Sequence, residues 1–162
     1  MDKKWFILFG IGLVGLLYLA RKPTTEFIET GVGWAMGLYD EIYQRWASMR
    51  GMDWRLLKAV STVESSENPN VIGDDGRSIG LMQVSLIVGG SYGLNRDDLL
   101  NPELNVQAGS GFLKEMTDRY GLEGGIQAYN LGETKFRKGI ISPVYLDKVM
   151  NEFLKLQETE VV

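Results

Sequence analysis

Between positions 63 and 85 the chain reads VESSENPNVIGDDGRSIGLMQVS. A single carboxylate, Glu64, stands near the end of an apolar helical pattern, ahead of a Gly/Asp-rich turn and an apolar, strand-like run. Three effects would hold its proton. Leu57 and Val60 share its helix face, and burial disfavours the charged form. The C-terminal end of a helix is the negative end of its dipole. Asp74 and Asp75, folded over it, would repel another negative charge. A carboxylic acid kept neutral near neutral pH suits one task in particular: protonating a poor leaving group such as a glycosidic oxygen. The alternative is a helix-end residue facing water, and periodicity alone leaves both open.

The rest of the inventory narrows the chemistry. The chain has 162 residues with no Cys and no His. That removes disulfides, thiol nucleophiles, imidazole bases and most zinc sites. No metal and no cofactor are expected, so the chemistry falls to carboxylates, hydroxyls, amides and backbone. The length allows one domain plus an appendage. The net charge of -4 is uneven: residues 1–22 hold four basic side chains and one acid, which leaves 13 basic and 20 acidic for the remainder. Such a body lacks the basic footprint of a nucleic-acid binder. An uncharged or sugar-like substrate fits it better than a phosphate polymer.

The elements that must position Glu64 follow from pattern. Residues 5–20, WFILFGIGLVGLLYLA, carry no charge and are bracketed by Lys3, Lys4, Arg21 and Lys22. With Trp5 and Tyr18 at interfacial positions, this run predicts an uncleaved transmembrane anchor in a lipid bilayer. A cleaved signal peptide competes, but Tyr18-Leu19-Ala20 is a poor cleavage site. The stretch 35–49 has the apolar spacing of an amphipathic helix. Its Trp34, Tyr43 and Trp46 suit either a membrane surface or a core-packed helix. Asp53 is a good N-cap for the helix carrying Glu64. Gly73, Asp74, Asp75 and Gly76 read as a turn between two short strands. A further helix buries Val106, Gly109, Leu113 and Met116, with Gly109 and Gly111 implying close packing. Another helix stops at Gly132, and the last has Pro143 in its first turn. The predicted organisation is an anchor (1–22), a linker with an amphipathic helix (23–50), a catalytic body (51–156) and a flexible tail (157–162). The body is mainly helical with one small β-hairpin.

The fragments ESSENP, GDDGRSIGLMQV, NPELNVQAGSGFLKEM and IQAYNLG, in this order, resemble the lytic transglycosylase and goose-type lysozyme superfamily. The resemblance covers about residues 53–150. It implies a lysozyme-like α+β fold that cuts the β-1,4 bonds of peptidoglycan glycan strands. It makes Glu64, followed by Ser65, the catalytic acid. It assigns Gly80, Leu81, Met82 and Gln83 to a hairpin lining the glycan groove, and Tyr129 and Asn130 to the groove side of an Ala-Tyr-Asn motif. It matches Pro143, Tyr145, Leu146 and Val149 to the closing helix. The residue types agree. Gln83 and Asn130 can donate to and accept from acetamido and hydroxyl groups. Tyr129 offers a ring face and a hydroxyl. Core packing for Leu81 and Met82, a turn-fixing amide for Gln83 and Asn130, and a local hydrogen bond for Ser65 are the alternatives.

Two outcomes of cleavage follow from one acid. A lytic transglycosylase needs no second carboxylate, because the 6-hydroxyl of the sugar closes on its own anomeric carbon. An inverting hydrolase needs a base for water. Asp74 keeps one acid of the goose-type hairpin, whereas Ser85 stands where a second would be. Gly73 replaces the Ser of many soluble lytic transglycosylases. The expectation is therefore a membrane-anchored lytic transglycosylase, with hydrolysis aided by Asp74 second and an inactive glycan-binding protein third. A tethered single module suits part of a phage virion or an envelope-spanning machine, with membrane or virion assembly partners.

Overall fold

The computed structural model describes residues 37–159. The predicted anchor at 5–20 and Trp34 lie outside them, as does the end of the tail. Among the described residues no helix is long and apolar enough to cross a membrane. The elements are α1 (Asp40–Arg50), α2 (Trp54–Ser65), β1 (Ile72–Gly73), a 3-10 turn (Asp74–Gly76), β2 (Ser78–Ile79) and β3 (Val84–Ser85). They continue with α3 (Leu86–Ser91), a second 3-10 turn (Asp98–Leu100), α4 (Pro102–Leu131), α5 (Glu133–Arg137) and α6 (Pro143–Glu158).

Local sequence chemistry sets the helix ends. The Asp53 carboxylate accepts from Arg55 N–H and so caps α2. Asn101 caps α4 in the same way, with Pro102 in the first turn. Gly51, in the left-handed region, closes α1. Helix α4 is broken into two arms at Gly121, whose φ is +71°. Leu56, Leu57, Ala59 and Val60 of α2 are buried in the core, packed against α1 and α6. Each large one stabilises the fold by roughly 1.5–3 kcal/mol. Tyr43 and Ala47 of α1 belong to the same core, and the Trp46 indole donates to Glu103 at 2.8 Å. Of the two readings of this helix, the core-packed one describes it. It starts at Asp40 rather than at 35.

The single expected hairpin is a three-stranded antiparallel sheet, ordered β1-β2-β3. Ile72 lies opposite Ile79, and Ile79 opposite Val84. The extra turn, over Gly80, Leu81, Met82 and Gln83, is placed by the family resemblance and not by local pattern, because Leu-Met is no turn signal. Tertiary contacts fix it instead. Leu81 and Met82 are fully buried. Asn105, itself fully buried in α4, donates to Ile79 O at 2.7 Å and Leu99 O at 2.8 Å and accepts from Met82 N–H at 2.9 Å. Gly80 sits at φ +77° against Asn105 and the Leu99 carbonyl, leaving no room for a Cβ. The expected close packing at Gly109 and Gly111 is present: Met82 fills the space over the first, and Tyr92 that over the second. Helices α3 and α5, of six and five residues, were too short for their periodicity to be read.

Asn105→Ala strips the turn of its side-chain partners and leaves buried polar groups unpaired. The expected loss is on the order of 3 kcal/mol in urea unfolding; a loss below about 1 kcal/mol would show that the turn holds without it.

Candidate active site

Glu64 is the penultimate residue of α2 and is half-buried. The first turn of α6 brings Tyr145 onto it, and the tyrosine hydroxyl donates to Glu64 Oε1 at 2.6 Å. Burial raises the Glu64 carboxyl from its ordinary 4.5 to about 7; the Tyr145 hydrogen bond opposes that rise, and the negative charge of Asp74 adds to it. Burial, helped by the charge of Glu64, also pushes the Tyr145 phenol far up, so it stays a donor. Oε1 is thus engaged and Oε2 is left for the labile hydrogen.

The turn beside Glu64 is fastened to α2 from below. Ser65, one residue on, is buried, and its hydroxyl donates to Leu81 O at 2.7 Å. Ser61, one turn earlier, reaches the same carbonyl at 3.2 Å while accepting from Tyr43 at 2.7 Å. The local alternative therefore describes Ser65: it anchors the turn. Leu81 and Met82 point their side chains into the core and position backbone only. Tyr129 is also buried, at 9% exposure, with its ring on Phe112 and its hydroxyl donating to Met82 O at 2.7 Å. A sugar cannot stack on a ring so covered. Burial, and then the charge of Glu64, push its phenol up.

Gln83 adopts φ +46°, and its Nε2 donates to Val71 O at 3.0 Å and Gly80 O at 2.9 Å. Both amide hydrogens are used internally, so the turn-fixing alternative holds for this residue. Its Oε1 abuts Gly73, in the space a Cβ there would need. Asn130 differs: it is exposed, and its side chain makes no hydrogen bond with the described residues. Asp74 is exposed at φ +50° and accepts from Ser78 Oγ at 2.7 Å. Arg77 donates to the Asp74 carbonyl at 2.9 Å. Ser85, at the position of the absent second acid, caps α3 through Val88 N–H. Among the described residues no group of three or more acids is placed to hold a metal ion. Sequence reading missed Asn105, Ser61 and Tyr43. The one available signal was a polar Asn at a core position of an otherwise apolar helix face.

A small sheet packed on a helical body, with one half-buried glutamic acid at a helix end, defines a lysozyme-like domain. The Transglycosylase SLT domain model matches residues 41–144, and the chain belongs to that family. It is 33% identical over 81 residues to the membrane-bound lytic murein transglycosylase F of Alteromonas mediterranea, covering 50% of this chain and 16% of that one. The 70-kDa soluble lytic transglycosylase of Escherichia coli shares the fold at a TM-score of 0.56 and 22% identity, over 70% of this chain and 19% of that one. A complex of the 70-kDa soluble lytic transglycosylase with bulgecin A matches equally, over 71% of this chain. The chain therefore spans under a fifth of the length of these relatives.

Two measurements check the electrostatics. Tyr145→Phe removes a donor to the carboxylate, so the Glu64 midpoint moves above about 7 in an NMR titration; an unmoved midpoint would show the bond to be idle. Because the folded value lies above 4.5, the folded chain holds this proton more tightly than the unfolded one. That contribution is complete below 4.5 and is lost as pH rises through about 7. Glu64→Gln has no such loss, so in urea unfolding its stability relative to wild type should rise by up to about 3 kcal/mol between pH 4 and pH 8, and an unchanged difference would show that Glu64 is not shifted.

Proposed function

We propose that the chain is a peptidoglycan lytic transglycosylase in which Glu64 serves as both acid and base. The observation that carries this reading is the raised carboxyl at about 7, held by burial against the Tyr145 donor. Such a group is poised between its two forms at neutral pH. Protonated, Oε2 gives its hydrogen to the glycosidic oxygen as the bond to the anomeric carbon breaks. The acetamido group of the sugar stabilises the cationic centre. The Glu64 carboxylate, now favoured by the Tyr145 hydrogen bond, takes the proton of the 6-hydroxyl. That oxygen closes on the anomeric carbon and leaves a 1,6-anhydro end. The ring closure is intramolecular and captures no water. Exposed Asn130 is the amide free to meet substrate; Gly80, Leu81, Met82, Gln83, Ser65 and Tyr129 shape the groove from behind.

Hydrolysis is the second reading, favoured by one observation: Asp74 is exposed and its charge bears on Glu64. It would aid an incoming water and give reducing ends. An inactive glycan-binding role is third, and retention of an acid at 64 argues against it. The uncharged run at 5–20 with its basic brackets supports a membrane tether, as does the membrane-bound relative. A tether confines cleavage to wall near the membrane, which suits a part of a phage virion or envelope-spanning machine.

On purified peptidoglycan, Glu64→Gln should lose on the order of 10²–10⁴-fold in rate, the range for a general acid. Mass spectrometry should find wild-type products one water lighter than reducing-end sugars; heavier products would favour hydrolysis, and an unaffected variant would remove Glu64 from the chemistry. The wild-type kcat/KM should hold below pH 7 and fall about tenfold per unit above it, because the free enzyme must start protonated.

A further inference from the structure

Glu67 lies just past the end of α2, at φ +58°, and is half-buried. Its Oε1 is buried and has no hydrogen-bond partner among the described residues. A buried carboxyl oxygen without a partner is costly, and more so in the charged form than in the neutral one. Its neighbours offer little relief. From α2 comes Lys58, whose ammonium is committed to Asp40 of α1 at 2.6 Å. From α6 comes Glu152, another acid, paired with Lys155 at 3.2 Å. From α1 comes the hydroxyl of Tyr43. Burial raises the Glu67 carboxyl above its ordinary range; Lys58 and Tyr43 oppose the rise, and the charges of Asp40 and Glu152 add to it.

Hydrogen count gives the contact with Tyr43 a direction. Each hydroxyl has one hydrogen to give. That of Tyr43 goes to Ser61 Oγ at 2.7 Å, and that of Ser61 goes to Leu81 O at 3.2 Å. Tyr43 therefore has only a lone pair to offer Glu67, and only a protonated carboxyl can donate to it. In that form the row runs one way, from Glu67 through Tyr43 and Ser61 to the turn beside Glu64. Ionised, Glu67 can only accept. Tyr43 then donates to it, Ser61 swings its hydrogen to the Tyr43 oxygen, and Leu81 O keeps Ser65 alone, at 2.7 Å. We propose that Glu67 is a positioning residue for cleavage, whose own proton sets whether the turn over residues 80–83 is held by two hydroxyls or by one. This rests on the reading of Glu64 as the cleavage centre. Ionisation of Glu64 stops the chemistry, whereas ionisation of Glu67 lowers the rate to a plateau.

The turn is read first, then the rate. In the full chain with Glu64→Gln, which removes the Glu64 titration, the NMR shift of the Leu81 carbonyl carbon should titrate with the same midpoint as the Glu67 carboxyl. It should become flat on adding Glu67→Gln, whose amide can donate to Tyr43 at every pH. Tyr43→Phe, which keeps the ring and cuts the row, should flatten it too. A flat Leu81 signal in the parent, or one that still titrates through Tyr43→Phe, overturns the proposal. With Glu64 intact, wild type and Glu67→Gln should cut peptidoglycan equally at low pH. Above the Glu67 midpoint wild type should have the lower kcat by on the order of three- to tenfold, less than the ~10²-fold that a misplacement of about 1 Å can cost. In the Tyr43→Phe background the two should be equal at every pH, and a difference that persists there overturns the row. The Glu64 midpoint should stay at about 7 in Glu67→Gln; a midpoint that moves would make Glu67 a bare charge acting at a distance. Wild type that leaves peptidoglycan uncut at every pH defeats the cleavage reading, and the Leu81 shifts still decide the row.

Discussion

The structure depends on one arrangement: a carboxyl group withdrawn from water at the end of α2 and met there by a hydroxyl. Burial alone would make Glu64 a poor base, since its charged form would find no partner. Tyr145 supplies that partner. The opposing effects leave the group near neutrality, where both forms are accessible. Burial comes from the helical body, Tyr145 from the closing helix and the charge of Asp74 from the sheet. The fold thus keeps three remote stretches of chain around one pair of oxygens.

The sheet is too small to hold itself. Strands of two residues contribute few ladder bonds, and isolated hairpins are marginal in water. Its geometry is borrowed from the helices. Ser61 and Ser65 grip Leu81 O from α2, Asn105 holds Met82 N–H, and Tyr129 holds Met82 O from α4. Buried polar groups satisfied in this way specify one arrangement of the backbone. The same network explains why four residues expected to face the glycan turn inward. Their side chains fasten the turn beside Glu64.

Much of this was legible in the sequence, and the boundary of what was not has a physical cause. Helices α2, α4 and α6 announced themselves through periodicity, the Asp53 cap and Pro143. Glu64 and Tyr145 were both singled out, although their contact across 81 positions has no local signature. The turn at Gly80 was visible only through the resemblance, because its stability is tertiary and leaves no local pattern. The inward hydrogen bonds of Tyr129 and Gln83 were not legible for a related reason: residue type says which hydrogen bonds a side chain can make, whereas burial decides whether water, substrate or a neighbouring carbonyl takes them. Asn130, exposed next to buried Tyr129, shows how sharply adjacent positions on one helix can differ.

The contact between Gln83 and Gly73 binds the histories of these two positions together. With the amide lodged where a methyl group would go, no side chain can appear at 73 until 83 shortens or rotates away. Rotation would take the side-chain donor from the carbonyls of Val71 and Gly80, each of which keeps a backbone N–H partner, so the turn would lose one of its two ties. A side chain at 73 therefore requires Gln83 in another rotamer, which couples the two positions. Swapping single residues between relatives at this spot would accordingly mislead, and mutations tested one at a time would overstate how fixed either position is.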